Sequence, residues 1–485
     1  MQKFRQVSGG NCRLVLYRES RPGVPDPADP GVVLAFYSES MGMDANKQGS
    51  AVITNARGQG KPVPGTPNYT GGLEVPPYAP QMGHILRSLC GAPVTTAEAS
   101  VELTEEAVTD EGLGYVGLPV APHTFVQDTV VTITGTANYD GAYRLEYGTS
   151  KNMLVIKALY RAETIPAGAR AHRGRGAFLD GAAEDLGEGK VALPVGGFGV
   201  ALHEGESVTV SGTSDYDGEH VLQKGTNTRS LVIEAAYAAE SFNGTPTAIP
   251  AFYRHEFSLP RNQPTFCLQK EFDYEAGASA NPYTVILSNK LNGISFPFGG
   301  ETEVKISLDC SVGSMGNVAR PVNAASPLVL PGIPFWDKES AVWIDGRRVG
   351  DVQKGNLSLT YGIEGQVAVG DMGKRSRQPE GDPTGSLTLT VFLEHDEYQQ
   401  LADMAATVPV ALSLSGANGE ELWFRLPEVE LDTGGSPQIS GKGGLTNRGK
   451  GHRFRGSGRY VKQVYPRQPR RQLRLKESSC TSSIF

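Results

Sequence analysis

Short runs in which apolar and polar residues alternate recur along the chain, and segments rich in glycine or proline separate them. Alternation with a period of two predicts half-buried β-strands. The clearest runs are residues 129–133, 207–210, 356–361, 386–391 and 421–426. Two segments instead have the i, i+3, i+4, i+7 spacing of an amphipathic helix. Their apolar positions are Met82, Ile85, Leu86 and Leu89, and Tyr398, Leu401, Ala402 and Ala405. The pattern predicts a mainly β chain with two short helices.

A small module occurs twice in tandem. Residues 133–141 read ITGTANYDG and residues 210–218 read VSGTSDYDG, an offset of 77 residues. VGLPV at 116–120 similarly returns as VALPV at 191–195. Such self-similarity indicates a duplicated structural unit. The two predicted β modules are residues 116–180 and 181–246.

Each module contains the tripeptide Tyr-Asp-Gly between two strand-like runs. The residues are Tyr139, Asp140 and Gly141 in the first module, and Tyr216, Asp217 and Gly218 in the second. An Asp-Gly pair in this position predicts a tight hairpin turn. The carboxylates could bind calcium, but such side chains more often accept hydrogen bonds from their own turn, and we expect that role here.

A second, fainter duplication relates the two ends of the chain. TGGLEV at 70–75 resembles TGSLTL at 384–389, with an offset of 314 residues. A long loop precedes each segment, at 57–67 and at 373–383, and a predicted helix follows each one. The basic residues of these loops are Arg57, Lys61, Lys374, Arg375 and Arg377.

The two duplications predict a modular chain. A first β unit, 1–115 and 247–315, is interrupted by the two modules. A linker at 316–334, a second β unit at 335–456 and a basic tail at 457–485 follow. We expect each β unit to be a sandwich or partial barrel with one flanking helix.

Composition supports a turn-rich β protein. The 60 glycines and 32 prolines make 19% of the 485 residues, against roughly 12% in average usage. This argues against a helical bundle, and 39% hydrophobic residues argue against a disordered chain. No apolar run reaches the roughly 18 residues of a membrane-spanning helix. Five widely spaced cysteines without a C-x-x-C pair predict reduced thiols and folding in a cytosol.

Charge is unevenly distributed along the chain. Residues 1–450 carry a net charge of −15, whereas the segment from 451 onward has nine Lys or Arg residues and one acid. An acidic body does not bind nucleic acid by neutralising phosphates. The basic tail could contact DNA or an acidic partner, or it could be a solvated chain end.

The familiar catalytic motifs are weak or missing. GLTNRGKG at 444–451 lacks the Ser or Thr that follows the lysine of a phosphate-binding loop. The cluster EHDE at 394–397 begins a predicted helix, where acidic residues favour the helix dipole. There is no G-x-S-x-G or H-E-x-x-H, and Cys90 reads as a core thiol. We predict no catalytic, cofactor-binding or metal-binding residue.

The order of these features resembles that of the tail tube (major tail) proteins of long, flexible-tailed bacteriophages. The segments that carry the resemblance are 33–40, 71–75, 82–89, 264–270, 289–295, 426–431 and 439–445. The resemblance covers the chain outside the inserted modules and the tail. The resemblance implies two tail-tube-type β units. The two inserted modules depart from that pattern and are similar to Ig-like or small barrel domains that decorate phage structural proteins.

The resemblance also implies a function. Such proteins form six-fold rings whose inner strands join into one β-barrel around a DNA channel, and long loops reach the next ring. Two units per chain predict a homotrimeric, pseudo-hexameric ring in preference to a hexamer. The implied partners are further copies of the chain, a tape measure protein inside the tube, terminator and distal tail proteins at its ends, and DNA in transit, with no membrane anchor and no cofactor. Assembly is expected in the host cytoplasm, and the final location is the virion tail.

Three alternatives remain at this point. The chain could form a distal tail or baseplate hub ring, which occurs once per particle instead of in a long stack. It could bind surface carbohydrate through the Tyr-Asp-Gly modules. An enzyme such as a glycanase is disfavoured, because no pair of catalytic carboxylates can be identified from the sequence.

Overall fold

The computed structural model describes residues 8–48, 63–196, 202–275, 278–299, 303–330, 332, 334–336, 340–350, 352–368, 370, 374–375, 377–392, 407–416, 419–432, 446–452 and 461–466. This part of the chain is mainly β, which confirms the predicted fold class. The second predicted helix lies outside the described residues. Contacts divide the chain into a large unit, residues 1–96 and 254–465, and a small unit, residues 97–253 and 466–485.

The N-terminal part of the large unit is a series of short strands followed by one helix. After a 3₁₀ turn at Gly9–Asn11, the elements are β1 Arg13–Arg21, β2 Val24–Pro25, β3 Val32–Leu34, β4 Ser38–Glu39, β5 Gly42–Asp44, β6 Lys47–Gln48, β7 Val63–Pro64, β8 Asn68–Thr70, β9 Gly72–Val75, α1 Ala79–Cys90 and β10 Val94–Ala97. The strands β4 to β6 pair in turn with β9, β8 and β7. They form a long hairpin that leads into the first predicted loop.

The helix α1 forms where the sequence predicted it. Its apolar positions Met82, Ile85, Leu86 and Leu89 are all buried. Gly91 ends the helix with φ of 83°, a conformation that favours glycine, and its N–H donates to the carbonyl of Arg87. The predicted amphipathic helix over 82–89 is thus confirmed as part of Ala79–Cys90.

The described residues of the small unit form fourteen strands around two separate cores. They are β11 Val101–Glu102, β12 Thr109–Gly112, β13 Tyr115–Pro119, β14 Val130–Thr134, β15 Gly141–Arg144, β16 Met153–Lys157, β17 Arg170–Arg173, β18 Ala177–Ala182, β19 Glu184–Gly187, β20 Lys190–Gly196, β21 Ser207–Ser211, β22 Gly218–Val221, β23 Ser230–Glu234 and β24 Ser241–Pro250. One core lies within residues 103–171 and the other within 177–248.

The small unit begins before the sequence repeat does. β11 pairs with β17, and β12 pairs with β13. The predicted start of the insertion at residue 116 therefore lies inside this unit. The strands before residue 116 pair in the same way as their counterparts in the second module, but the two sequences share little identity. The sequence repeat therefore becomes visible only from residue 116.

The regular elements of the C-terminal part of the large unit are all strands in the described residues. They are β25 Phe252–Phe257, β26 Phe266–Glu271, β27 Tyr283–Phe298, β28 Ile306–Ser311, β29 Ser314–Val318, β30 Leu328–Val329, β31 Ser340–Ile344, β32 Arg347–Val349, β33 Val352–Thr360, β34 Thr384–Phe392, β35 Thr407–Ser415, β36 Glu421–Asp432, β37 Thr446–His452 and β38 Val461–Pro466. β30 lies in the predicted linker and β38 in the predicted tail. Both pair with other strands, β30 with β3 and β38 with β36.

Strand pairing in the large unit follows one antiparallel order twice. The first series is β1, β26, β27, β28, β9 and β4. The second series is β31, β35, β36, β37, β34 and β33. If the six strands of each series are numbered along the chain, the spatial order is 1-4-5-6-3-2 in both. In each series one further strand, β29 or β38, pairs with the start of strand 5.

The two series share one hydrophobic core. A single cluster of buried side chains runs from Leu14 in the first series to Val429 in the second. The rings of Phe296 and Phe424 pack within it with centroids 5.0 Å apart. The large unit is therefore one compact body.

Candidate functional site

A row of small polar side chains crosses six strands of the large unit. The register places Ser38, Glu74, Ser307, Ser295, Ser358 and Ser386 opposite one another in succession. The hydroxyls of Ser358 and Ser386 are 2.7 Å apart, and Ser38 Oγ donates to the Glu74 carboxylate at 2.9 Å. These side chains are half-buried or exposed, and none of them is basic.

The neighbouring rows continue the same chemistry. Asp309 lies opposite Gly293, which lies opposite Thr360, and Asn292 Nδ2 donates to Asp309 at 2.7 Å. The alternate residues of the strands are buried, as at Phe296, because successive side chains of a strand point to opposite faces. In these rows one face of the sheet thus closes the core, and the other presents hydroxyls, amides and a few carboxylates. Further along β33 and β34 the same face includes Lys354, which lies opposite Thr390, and the rows continue to Lys450 opposite Thr388.

The two strand series meet where β27 pairs with β33. Six residue pairs join them, from Gly293 opposite Thr360 to Phe298 opposite Gly355. β27 has 16 residues. Its first half pairs with β26 and β29, and its second half pairs with β28 and β33. The polar face therefore passes from one series to the other without interruption.

The predicted basic loops are partly described. Lys374 and Arg377 are exposed. The guanidinium of Arg375 instead donates to the Tyr69 carbonyl at 3.0 Å and to the Asn68 side chain, at the base of the first loop. The structure thus brings the bases of the two loops together within one chain. Arg57 and Lys61 lie outside the described residues.

Buried polar contacts fix the end of the second loop. Lys290 Nζ lies 2.5 Å from the Glu380 carboxylate, and both side chains are largely buried. Glu380 also accepts from the backbone N–H of Gln263 at 2.8 Å. No local pattern could have indicated this contact, because Lys290 and Glu380 are 90 residues apart.

Comparison with known protein families identifies the chain. Residues 9–454 match the family model described as phage tail tube protein. The chain belongs to the phage tail tube protein family. No curated protein matches the chain. The predicted family is thereby confirmed, and the protein is a structural component of the virion tail.

In this tail tube protein the Tyr-Asp-Gly segments of the small unit do not form two-residue turns. β14 and β15 pair as far as Ile133 opposite Gly141, so residues 135–140 form the connection. Asp140 closes it, because its carboxylate accepts from the N–H groups of Gly135 and Thr136 at 3.1 and 2.7 Å. The sequence indicated a hairpin here, but it could not reveal that the carboxylate holds a wider loop.

A second carboxylate and the Tyr139 hydroxyl complete this loop. Glu163 accepts from the backbone N–H groups of Ala137 and Asn138 at 2.6 and 3.0 Å. The Tyr139 hydroxyl donates to the carbonyl of Arg161 and accepts from its N–H, both at 2.7 Å. Tyr139 is only 1% exposed, so its ring also belongs to the first core.

The second module repeats the arrangement. Asp217 accepts from Thr213, Glu240 accepts from Ser214, and the Tyr216 hydroxyl bonds both backbone groups of Ala238. Burial raises the pKa of Asp217, but the hydrogen bonds from Thr213 and Gly212 outweigh it and leave that pKa below its usual value. Gly135 and the equivalent Gly212 open the two loops with φ of 82° and 84°.

These contacts agree with the turn-forming role expected for the Asp side chains. Their carboxylate oxygens accept N–H bonds from their own loops. Within the described ranges no three His, Cys, Asp or Glu residues cluster in a way that could hold a metal ion. The carboxylates therefore act on the backbone of their loops.

Burial shifts the pKa values of two titratable groups on α1. A cavity of about 240 Å³ beside α1 is lined by residues that include Arg18, Asp29 and His84, and Arg18 pairs with Asp29 at 3.1 Å. Burial lowers the pKa of His84 to about 4. Burial also raises the pKa of the Cys90 thiol to about 12, which is unfavourable for a nucleophile.

The remaining sequence motifs are only partly described. Residues 446–452, which contain most of the GLTNRGKG segment, form the strand β37. The EHDE cluster lies outside the described residues. No helix within the described residues is long and apolar enough to cross a membrane.

Proposed function

We propose that this tail tube protein assembles into stacked rings, each of three chains, that enclose a channel for DNA. The observation that carries the proposal is the repeated strand order with its internal junction, β27 to β33. One chain thereby supplies two successive segments of a continuous sheet. Three chains would supply six such segments, the pseudo-six-fold ring that the sequence predicted.

The hydroxyl-lined face of the sheet is suited to the channel wall. A phosphate backbone is held mainly by Lys and Arg, and the row from Ser38 to Ser386 contains a carboxylate but no basic side chain. DNA facing this row would meet weak hydrogen-bonding groups and some negative charge, whereas Lys354 and Lys450 lie in neighbouring rows of the same face. The wall would therefore let DNA slide through during ejection.

The exposed Lys374 and Arg377 support the proposed contact between rings. The body of the chain is acidic, so basic loops that reach the next ring would meet an attractive surface. Arg375 has a different role in this proposal, since it anchors the loop to Asn68 and Tyr69 of its own chain.

We further propose that the two modules of the small unit decorate the outside of the tube. The tape measure protein would fill the channel before DNA enters, and terminator and distal tail proteins would close the two ends. Folding and ring assembly would take place in the host cytoplasm. These roles follow from the proposed tube.

Negative-stain microscopy of the purified protein, combined with native mass spectrometry, tests the proposal. We expect hollow tubes or rings of one diameter with three chains per ring. A folded protein that stays monomeric under all conditions would contradict the tube, and six chains per ring would contradict the trimer. A count of copies per virion separates the tube from a distal hub ring, because only the tube contains many rings.

Exposed aromatic side chains favour a second role for the modules. Tyr160 and its equivalent Tyr237 are 40% and 47% exposed, and aromatic rings exposed on β modules can stack on sugar rings. We therefore propose host-surface glycan as a further ligand of the modules. A glycan array with the full protein and with the double variant Tyr160→Ala/Tyr237→Ala tests it, and equal signals would remove this role.

A further inference from the structure

The pairing of β27 with β33 joins the two series inside the large unit. The equivalent two strands of the same chain are not paired with each other in the described residues. β27 is strand 5 of the first series, and β33 is strand 2 of the second. The equivalent strands are β36 and β4. In the described part of the chain, residues 431–432 of β36 pair only with β37, and β4 pairs only with β9. Each chain thus forms one pairing between a strand 5 and a strand 2 internally. Its other strand 5, β36, and its other strand 2, β4, are not paired with each other where the structure describes them.

We propose that β4 of one chain pairs with the end of β36 in a second copy of the chain, in the register of the internal junction. The inference rests on the proposed function and specifies the surface that closes its ring. The partner is a second copy because the chain itself already shows that a strand 5 edge of this fold accepts a strand 2 edge.

The two series define the register residue by residue. Ser40 lies opposite Gly72 in the first series, as Ser358 lies opposite Ser386 in the second. Asp432 lies opposite Lys450, as Ser295 lies opposite Ser307. Because Ser295 pairs with Ser358 in the internal junction, Asp432 should pair with Ser40 between chains.

The adjacent pair and the limit of the junction follow from the same register. Ile294 lies opposite Leu359 in the internal junction, so Leu431 should lie opposite Met41. Thr407 of β35 already pairs with Glu430. The junction between chains therefore begins at Leu431.

Two side chains cap the β4 edge in the single chain. The N–H of Met41 donates to the Glu39 carboxylate, and Lys270 Nζ donates to the Met41 carbonyl at 2.8 Å. Lys270 and Glu39 also form an ion pair at 2.7 Å, and both side chains are mostly buried. Charged caps of this kind stop open strand edges from pairing indiscriminately. Pairing with Leu431 would replace both caps with backbone hydrogen bonds.

Disulfide trapping tests the register in assembled tubes. The double variant Ser40→Cys/Asp432→Cys, in a background with Cys12 and Cys480 replaced by Ser, should give bands of two and three chains on a non-reducing gel after mild oxidation. The matched control is Ser295→Cys/Ser358→Cys, whose disulfide lies within one chain and should leave a one-chain band.

Assemblies that combine two single variants provide a second test, which does not need the double variant. Chains with Ser40→Cys alone, combined with chains with Asp432→Cys alone, should yield one-to-one cross-linked pairs, and neither chain should cross-link by itself. Three-chain rings or tubes that do not cross-link at these positions would overturn the junction while the proposed function stands. A folded protein that never forms rings would overturn both.

Discussion

The Tyr139 hydroxyl offers a sharp test of how the repeated loops stabilise the small unit. The substitution Tyr139→Phe keeps the buried ring and removes only the oxygen atom that bonds both backbone groups of Arg161. Tyr216 makes the equivalent contacts in the second module, so the chain contains its own matched control.

The expected loss follows from the contacts. A typical intramolecular hydrogen bond contributes about 1 kcal/mol net. Two such bonds disappear, and Arg161 is exposed, so water can replace part of what its backbone loses. We therefore expect a loss of about 2 kcal/mol in the stability of the first module, which corresponds to about a 30-fold change in an equilibrium constant.

Hydrogen exchange of the full chain, read by mass spectrometry, measures this change module by module. The slowest amides of β14 should exchange about 30-fold faster in Tyr139→Phe, whereas those of β21 should not change, because the two modules have separate cores. Tyr216→Phe should give the reverse result. An effect below about threefold, or equal effects in both modules, would refute the reasoning.

Three further predictions concern the large unit. Charge reversal at Lys374 and Arg377 should shorten the tubes because it weakens the contact between rings, whereas reversal of the exposed Lys151 in the small unit should leave tube length unchanged in micrographs. Burial lowers the folded-state pKa of His84 to about 4, so the unfolded chain binds more protons than the folded chain between about pH 6.5 and pH 4. The free energy of unfolding should therefore fall as the pH drops through that window, by up to about 3 kcal/mol. Hydrogen-exchange protection factors of the α1 amides at pH 7 and pH 4.5 measure that loss of stability, and His84→Gln should reduce the loss. An equal loss in the variant would assign the effect to other groups. Cys90, with its pKa raised to about 12 by burial, should resist iodoacetamide at pH 8 in the folded chain and react after denaturation, and rapid labelling of the folded chain would contradict that burial.

The sequence alone determined the local elements and the repeats. Alternation of apolar residues located strands such as β34 and β36, and the spacing of Met82, Ile85, Leu86 and Leu89 located α1. Each of these signals depends on residues close together in the chain, where the periods of two and 3.6 residues are directly visible. The order of the segments was also sufficient to indicate the family.

Only the tertiary structure decided which strands lie side by side. The row from Ser38 to Ser386 combines strands from both ends of the chain, and a shift of register by one residue would turn Ser295 into the core and Phe296 out of it. The contacts of Arg375 were also decided by the tertiary structure. The sequence predicted that its loop reaches another ring, whereas the side chain binds Asn68 and Tyr69 of its own chain. Register and long-range contacts depend on how whole faces pack together. A local pattern therefore fixes where a strand lies in the chain but not which strand it meets.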